Sequence, residues 1–385
     1  MEDALDAIID YRGKTPQKSD TGIPTLSAKS VKNNHINYAE CYYISEAEYK
    51  RFMVRGFPQK GDILLTTEAP MGMVAKLDRD NVAIAQRLLT LRGKKGVLDN
   101  NYLLYLLQSP YGQGLLKERE TGTTVTGIKQ AEFRKIIVKL PDITIQKKIG
   151  SILSAIDQKI TCNTKINDNL QQQAVAIFRQ WFSVNPESEK WPVVTLDRLT
   201  LLISRGVAPK YDDDSTQIVL NQKCIRDHYI DTLQARRHKP KVINEKWLQY
   251  GDLLINSTGE GTLGRAAQVW FVPENMTVDS HVTIIRPQNQ LLLFYIGLWG
   301  ISHEREIEAL HTGSTGQTEL PRDRVKAMEL RLPDNDTLTR FNAVIAPMVS
   351  AIVVNQQENA RLASVRDALL PKLMSGEIDV SEIDI

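Results

Sequence analysis

The sequence of 385 residues has few of the features that mark secreted, membrane or metal-binding proteins. Its three cysteines, Cys41, Cys162 and Cys224, are odd in number and far apart, which argues against a disulfide framework and against a zinc site. No apolar run approaches the ~20 residues of a membrane span. The acidic start Met1-Glu2-Asp3 is unlike a signal peptide. We therefore expect a soluble protein of the reducing cytoplasm.

Catalytic motifs are also missing. The sequence has no phosphate-binding loop ending in Lys-Ser or Lys-Thr, no nucleophile elbow, and no Asn/Asp-Pro-Pro-aromatic stretch of the kind with which amino-methyltransferases grip a base. Gly259-x-Gly261-x-x-Gly264 has the spacing of a dinucleotide fingerprint, but strand-like residues follow it, so it predicts a hairpin turn. His303 and His311 lack the other ligands of a zinc site and predict a solvated helix. We expect no catalytic residue, cofactor or metal in this chain.

Strong charge of either sign is absent too. The formal net charge is +2, so any basic surface that binds nucleic acid must be local.

What the sequence does contain is a repeat. Two stripes with spacings of three and four residues predict two long helices that pair as a coiled coil. Two Asn residues interrupt each stripe, and 192 positions separate the matching Asn residues (163 and 355, 167 and 359). Polar residues in a coiled-coil core fix its register. The first stripe is Ile149, Leu153, Ile156, Ile160, Asn163, Asn167, Leu170, Ala174, Ile177 and Trp181, and the second is Phe341, Ile345, Met348, Ile352, Asn355, Asn359, Leu362, Arg366, Leu369 and Leu373.

The regions that precede the stripes repeat as well. Gly61-Asp62 corresponds to Gly251-Asp252, and the segment Ile84–Arg92 corresponds to Val278–Arg286. Both regions end in Leu-Pro-Asp. The stretches between these framework segments diverge. Two copies that keep a scaffold and differ in their loops predict one docking geometry for two different ligands.

The predicted fold class is α+β, with two pseudo-symmetric mixed α/β lobes separated and joined by two long antiparallel coiled-coil helices. The predicted boundaries are 1–142 for the first lobe, 143–184 for the central helix, 185–334 for the second lobe and 335–385 for the distal helix and tail. Strands are predicted at Asp62–Thr67, Met73–Leu77, Arg87–Arg92, Asp252–Asn256, Ala266–Phe271 and Val282–Arg286, and a short helix at Asn101–Gln108.

Capping residues predict the ends of the long helices. Asp142 and Asp334 are suited to the N-cap position, and Gly376 is suited to end the second helix. Pro347 lies inside the second stripe, where an interior proline costs ~3 kcal/mol. We therefore expect the first turn or two of that helix to be broken.

Polar residues in the divergent loops are the candidates for ligand contact. The densest basic cluster, Arg236-Arg237-His238-Lys239-Pro240-Lys241, is either a solvated loop or a strip of phosphate contacts, and its Arg side chains could bridge guanine O6 and N7. Asn and Gln could bond adenine in the same way. Hydroxyl residues near Gly122 and Gly313 suit close approach to a phosphate, but also any turn. The candidate DNA contacts are Lys29, Lys32, Asn33, Asn34, Arg51, Arg55, Thr123, Thr124, Asn221, Gln222, Lys223, Arg226, Arg236, Arg237, Lys239, Lys241, Ser314 and Thr315.

Several of these segments resemble the DNA-specificity subunit of Type I restriction-modification systems. The tail Arg366–Glu377 is similar to that family's distal helix, and Ile177–Phe182 to the end of its central one. Thr66–Gly72 and Thr121–Thr124 are similar to its recognition-domain framework. The resemblance implies a non-catalytic reader of double-stranded DNA whose two target recognition domains each contact half of a split site. It also implies helices that act as a ruler and dock two modification subunits, which carry S-adenosylmethionine and methylate adenine; restriction subunits would join that complex.

The first lobe departs from this pattern at its start. The second lobe opens with Trp191–Asp197 before Arg205-Gly206, whereas Arg12-Gly13 follows Met1 almost at once. The usual opening strand is therefore expected to be missing from the first lobe, through truncation or a different closure.

The length of the first stripe suits a helix that sets the distance between two DNA half-sites. At ~1.5 Å per residue the stripe 149–181 is about 48 Å long, more than the ~34–36 Å turn of B-DNA, and predicts a bipartite target. A coiled-coil adaptor with two protein-binding lobes is the alternative. It shares the duplication but gives no reason for basic, Asn- and Gln-rich loops. An enzyme in its own right is the third hypothesis, which the missing motifs disfavour.

Overall fold

The computed structural model describes residues 1–11, 15–122, 126–313 and 318–383. The chain divides into two compact units. The first unit consists of Met1–Cys162 and Glu358–Ile385, and the second of Asn163–Gln357.

The first unit contains two sheets and a hairpin. Its strands are β1 (Leu5–Asp10), β2 (Ile23–Leu26), β3 (Val31–Lys32), β4 (His35–Ile36), β5 (Tyr42–Ile44), β6 (Ile63–Thr66), β7 (Val74–Lys76), β8 (Ala83–Ile84) and β9 (Leu88–Gly93). An antiparallel sheet has the order β1-β9-β6-β7. In the second sheet, β2 lies between antiparallel β5 and parallel β8, and β3 pairs with β4.

Short helices cover these sheets. Ser45 caps the first of them by accepting from Glu48 N at 3.2 Å, and Ser109 caps another by accepting from Gly112 N at 3.1 Å. The strand β6 is buried along its whole length, which explains why its first three residues are all apolar. The helices of the first lobe are α1 (Glu46–Phe52), α2 (Asn100–Gln108), α3 (Pro110–Glu118) and α4 (Gln130–Arg134).

The second unit has the same strand order. Its strands are β10 (Val193–Thr195), β11 (Thr200–Arg205), β12 (Ile218–Leu220), β13 (Ile225–Arg226), β14 (Tyr229–Ile230), β15 (Arg236–Arg237), β16 (Leu253–Asn256), β17 (Ala266–Gln268), β18 (Met276–Val278), β19 (Val282–Pro287) and β20 (Glu329–Arg331). The sheet β11-β19-β16-β17 corresponds to β1-β9-β6-β7, and β15-β12-β18 corresponds to β5-β2-β8. Even the irregularity in the first strand pair recurs, between Leu5 and Ala7 and between Thr200 and Leu202.

The second lobe buries a more apolar helix. Its helices are α6 (Leu293–Ser302), α7 (Glu304–Ala309) and α8 (Arg322–Lys326), and α6 is buried from Leu293 to Ile301. Single-turn 3-10 helices lie at Glu2–Ala4, Tyr38–Glu40, Pro186–Lys190, Leu196–Leu199, Gln222–Cys224, Thr232–Gln234, Asn244–Lys246 and Gln290–Leu292.

All six predicted strands are found, five of them with ends that differ by at most one residue from the prediction. The prediction for Ala266–Phe271 is wrong at its end, because β17 stops at Gln268, where its partner Leu253 begins β16. The glycine-rich segment 259–264 joins these two antiparallel strands, and its three glycines have φ of 95°, 70° and 85°. The predicted hairpin turn is therefore confirmed.

The long helices are α5 (Ile143–Phe182) and α9 (Asn335–Ser375). Asp142 accepts from Thr144 N and Asp334 from Thr337 N, both at 2.8 Å, which confirms the predicted N-terminal caps. Gly376, with φ of 76°, follows the last helical residue of α9, as predicted.

The predicted break near Pro347 is wrong. The helix α9 runs through Pro347 without interruption. Pro347 and Ala343, whose carbonyl loses its helical donor, both lie on the exposed face of the helix, so water can satisfy that carbonyl.

The stripe residues of both helices are buried or partly buried throughout. In the first unit Asp157 pairs with Arg366 (Oδ1–Nη1, 2.8 Å), and in the second unit Asn355 Nδ2 donates to Asn167 Oδ1 at 2.8 Å. Farther along α5, Phe182 packs edge-to-face on Phe341, with ring centroids 4.7 Å apart. In the first unit Lys159 also pairs with Glu358, so in both units later residues of α5 meet earlier residues of α9 and the helices run antiparallel.

The helix α9 also contains a stretch long and apolar enough to cross a membrane, of which 33% is buried. The match rests on length and mean composition, and the unbroken apolar runs of the sequence stay shorter than the ~20 residues of a membrane span. Within this stretch Phe341, Ile345, Val349 and Ile352 lie in the core of the second unit.

The two units differ at their opening strand. In the second unit β10 pairs with β20, and Leu196 N donates to Met328 O at 2.8 Å. In the first unit the Met1 ammonium group donates to Ile136 O at the corresponding place. Residues 137–139 have no strand partner among the described residues, and Ile137 is 82% exposed.

Candidate nucleic-acid interface

The basic cluster of the second unit lies along a sheet edge. Arg236 and Arg237 form β15, an edge strand that pairs with β12, and Lys239 and Lys241 follow in the chain. All four side chains are exposed. The edge therefore presents a row of positive charge of the type that contacts phosphates.

Internal contacts hold this edge in place. The Arg236 guanidinium lies 3.4 Å from the ring centroid of Tyr211, Arg237 Nη1 donates to Ser215 O at 2.6 Å, and Lys241 Nζ donates to Ala208 O at 2.6 Å. Contacts with the segment 208–215 thus fix the position of the strip while its charged groups stay exposed.

A buried histidine lies in the middle of this cluster. His238 is 0% exposed, and neither ring nitrogen has a hydrogen-bond partner among the described residues. Burial lowers the pKa of His238, and the nearby charge of Lys241 lowers it further. The ring is therefore held neutral between cationic neighbours.

The amide candidates of the second unit are engaged in internal bonds. Asn221 caps the 3-10 turn by accepting from Lys223 N at 2.8 Å, and its Nδ2 donates to Gln234 O at 3.1 Å. Gln222 Nε2 donates to Thr258 Oγ1 at 2.6 Å. Lys223 and Arg226 are exposed. To read adenine, Asn221 and Gln222 would have to exchange these bonds, so that role stays a prediction.

The hairpin β3–β4 of the first unit shows the same behaviour. Asn33 Oδ1 accepts from Val74 N at 3.3 Å, and Asn34 Oδ1 accepts from Gln108 Nε2 at 2.5 Å. These bonds attach the hairpin tip to β7 and α2. Lys29 and Lys32, by contrast, are exposed.

The arginine candidates of the first unit are bonded within it. Arg51 donates to both carboxylate oxygens of Glu48, at 2.7 and 2.9 Å. The pKa of Glu48 is lowered by the Gln17 backbone N–H and by Arg51. Arg55 Nη1 donates to Asp10 O at 2.7 Å. Both arginines are mostly exposed and remain candidates for phosphate contact.

Aromatic residues on the first unit's edge strand were missed from the sequence. β5 presents Tyr43, which is 40% exposed, and Lys18 Nζ lies 4.9 Å from the ring centroid of its neighbour Tyr42. Arg79 stacks on Tyr38 at 3.9 Å. The signal in the sequence is the pair Tyr42-Tyr43, which occupies the place of Arg236-Arg237.

The hydroxyl candidates Thr123, Thr124, Ser314 and Thr315 lie outside the described residues. The described residues that flank these two segments are bonded in the same way. Thr121 and Gly127 exchange two backbone hydrogen bonds of 2.8 and 3.0 Å, as do Thr312 and Glu319 at 2.8 and 2.9 Å. The flanking residues therefore occupy equivalent places in their units.

Comparisons with known proteins agree with this architecture. Residues 8–172 match the family model described as Type I restriction modification DNA specificity domain. The Type I restriction enzyme MjaIX specificity subunit of Methanocaldococcus jannaschii is 27% identical over 392 residues, which cover 94% of this chain and 88% of that protein. The HindI specificity subunit of Haemophilus influenzae is 20% identical over 403 residues, covering 83% and 87%.

A solved structure shares the fold. The Type-I restriction-modification system S subunit from M. genitalium aligns with a TM-score of 0.58 at 14% identity, over 97% of this chain and 94% of that one. The shared fold is α+β. The family model and the relatives show that the chain is similar to specificity subunits of Type I restriction-modification systems.

Proposed function

We propose that the chain reads a bipartite DNA sequence, one half with each unit. The observation that carries the proposal is a repeated sheet framework whose equivalent edges carry different side chains, Tyr42 and Tyr43 on β5 and Arg236 and Arg237 on β15. One frame can then dock on DNA in one way and read two different sequences.

The paired helices would set the spacing between the half-sites. In this proposal 1–142 and 185–334 are target recognition domains, and 143–184 and 335–385 form an antiparallel coiled coil that separates and joins them. The antiparallel contacts seen within each unit support it. At ~1.5 Å per residue, the 40 residues of α5 extend about 60 Å, more than one turn of B-DNA.

The outer faces of the helices would dock two modification subunits. These faces carry exposed apolar side chains that a partner could cover: Ile166, Val344, Val354 and Val365, at 41–60%. In the proposed complex the modification subunits hold S-adenosylmethionine and methylate adenine, whereas this chain is cytoplasmic, binds no cofactor and catalyses no step. Restriction subunits would join the same assembly.

Methylation mapping tests the proposal directly. Host DNA is sequenced at single-molecule level from cells that express this chain with its modification subunit, and from matched cells that lack this chain. We expect a split adenine-methylated motif that disappears without the chain. A continuous motif, or no motif from an assembled and active complex, would contradict the bipartite reading.

Deleting one heptad from α5 tests the ruler separately. The expected result is a changed spacer or complete loss of methylation, because ~10 Å of helix is removed. An unchanged spacer would show that the helices do not set the distance.

A further inference from the structure

Charged side chains join α5 to α9 in the first unit. Asp157 Oδ1 lies 2.8 Å from Arg366 Nη1, and Asp157 Oδ2 accepts from the Tyr105 hydroxyl at 2.7 Å. The side chains of Arg366 and Asp157 are only 22% and 18% exposed. In so little contact with water, either charge would be costly without the other.

The repeat places apolar residues at the same two positions in the second unit. Val349 lies 192 positions after Asp157, and Ala174 lies 192 positions before Arg366. Val349 and Ala174 are each 1% exposed and belong to the core of the second unit. One pair of positions is therefore ionic in the first unit and apolar in the second.

The central asparagines cannot distinguish the two helices from each other. Asn355 donates to Asn167 in the second unit, and the equivalent positions in the repeat, 163 and 359, are also Asn. If two chains paired α5 with α5 and α9 with α9, Asn would still lie opposite Asn. Most of the apolar stripe would match as well, so these residues permit self-pairing.

We propose that the pair Asp157–Arg366 selects the pairing of α5 with α9 and excludes a dimer of two copies of this chain in which each helix pairs with its own copy. In that dimer each Asp157 would face Ala174 of the other chain, and each Arg366 would face Val349. Four partly buried charges would lose their partner on the other helix, which would leave Arg366 with the exposed Asp367 and Asp157 with the neutral Tyr105 hydroxyl, whereas the α5–α9 pair joins the opposite charges directly.

A second ion pair acts in the same direction. Lys159 Nζ lies 3.2 Å from Glu358 Oε2 in the first unit. The equivalent positions in the repeat are Ala351 and Ile166, so self-pairing would break this contact too. Because Lys159 and Glu358 are 51% and 41% exposed, their effect is smaller than that of Asp157 and Arg366.

The selection is tested by replacing Asp157 and Arg366 with the residues found at the equivalent positions of the second unit, Val and Ala. The full-length chain with D157V and R366A is compared with the wild type after refolding over a range of protein concentrations, and mass is measured by light scattering. The wild type is expected to stay monomeric. The variant should show a dimer fraction about tenfold larger or more, rising with concentration, since each 1.4 kcal/mol of lost selectivity is tenfold in the equilibrium.

A reversed pair is the matched control. The variant D157R/R366D keeps opposite charges at the two positions and should remain monomeric. An unchanged or higher unfolding midpoint for D157V/R366A would separate pairing exchange from misfolding, and D157N/R366Q provides the same test if that variant does not fold. Equal dimer fractions in the wild type and in D157V/R366A, or dimers of the reversed pair, would overturn the proposal. None of these outcomes depends on DNA reading.

Discussion

The edge strands β5 and β15 occupy equivalent places in the two units and carry different side chains. β5 presents Tyr42 and Tyr43, whereas β15 presents Arg236 and Arg237. Each pairs antiparallel with the central strand of a three-stranded sheet. The comparison shows that the backbone frame was kept while the chemistry of the exposed edge was free to change.

Both edge strands take part in a cation–π contact, but the strand supplies the ring in the first unit and the cation in the second. In the first unit Lys18 lies over Tyr42 of the strand, and in the second Arg236 of the strand lies over Tyr211. Each unit keeps a cation–π contact that anchors the edge. The second edge presents more positive charge, so the two units should differ in their response to salt.

The largest expected effect is on the free energy of unfolding, and it concerns an ion pair that both units share rather than the edge strands in which they differ. Arg286 pairs with Asp252 and also donates to Glu245 O and Trp247 O, at 2.9 and 2.6 Å. Burial raises the pKa of Asp252 even though Arg286 opposes this shift. Arg286→Met should therefore lower the free energy of unfolding of the second unit by about 3–5 kcal/mol, because a buried carboxylate loses its partner.

The equivalent pair in the first unit is the matched comparison. Arg92 pairs with Asp62 at 2.7 Å but is 22% exposed, against 9% for Arg286. Arg92→Met should cost about 1 kcal/mol less than Arg286→Met, since fewer buried hydrogen bonds are lost. Denaturant unfolding of the full chain measures both, and a larger loss for Arg92→Met would contradict the comparison.

The next effect concerns the basic edge. Replacing Arg236, Arg237 and Lys239 with Ala should lower DNA affinity about a hundredfold at physiological salt and reduce the salt slope by about two to three, since each lost phosphate contact removes about one unit. Fluorescence anisotropy over a salt series measures both quantities.

Exposed lysines elsewhere on the second unit are the control. Lys190 and Lys326 pair with Glu187 and Asp323. Their replacement by Ala should leave affinity and slope nearly unchanged. An equal loss from both sets of variants would mean that the edge has no special role in binding.

A third prediction concerns the buried residue at the end of each edge strand. Unit one buries Ile44 at the end of β5, whereas unit two buries His238 after β15 without a partner for its ring nitrogens among the described residues. His238→Ile should stabilise the second unit by about 1–3 kcal/mol, the typical cost of an unsatisfied buried polar group.

The same substitution should change the pH dependence. The pKa of His238 is lowered in the folded state, so the unfolded state binds more protons. The second unit should therefore lose stability as the pH falls below the unfolded pKa of ~6.5, because the unfolded state takes up a proton that the folded state does not. His238→Ile should remove this loss, and the reciprocal Ile44→His should introduce it in the first unit. Unfolding curves at pH 8 and pH 5 measure the change, and parallel curves for wild type and His238→Ile would contradict it.

The sequence predicted the repeat far better than the interactions within it. Asp62 and Arg92, and Asp252 and Arg286, were recognised as matching framework residues, but nothing in their spacing indicated that they pair across a sheet. The helix stripes were predicted well, because a period of 3.6 residues is local information. The ion pair of Asp157 and Arg366 was missed, because it joins residues 209 positions apart.

The candidate site was predicted in part. Composition identified the basic cluster at β15 but not the tyrosines of β5, because a search for charge passes over neutral rings. The sequence also suggested Asn33, Asn34 and Asn221 as residues that read bases, whereas in the structure Asn33 and Asn34 bond the β3–β4 turn to β7 and α2, and Asn221 caps a 3-10 turn. Asn is common in such turns for the same reason that it suits base edges, since one short amide both donates and accepts.

The smallest expected effect sharpens the comparison of the two edges. Tyr43 is 40% exposed on β5 and carries no charge. Tyr43→Ala should reduce DNA affinity by about tenfold or less and leave the salt slope unchanged, because losing a neutral side chain changes no counterion release. In methylation mapping, Tyr43→Ala should reduce the sequence specificity of one half of the motif, and Arg237→Ala should reduce that of the other half. If both variants loosened the same half, the two edges would not read separate half-sites, and the difference between them would have no role in recognition.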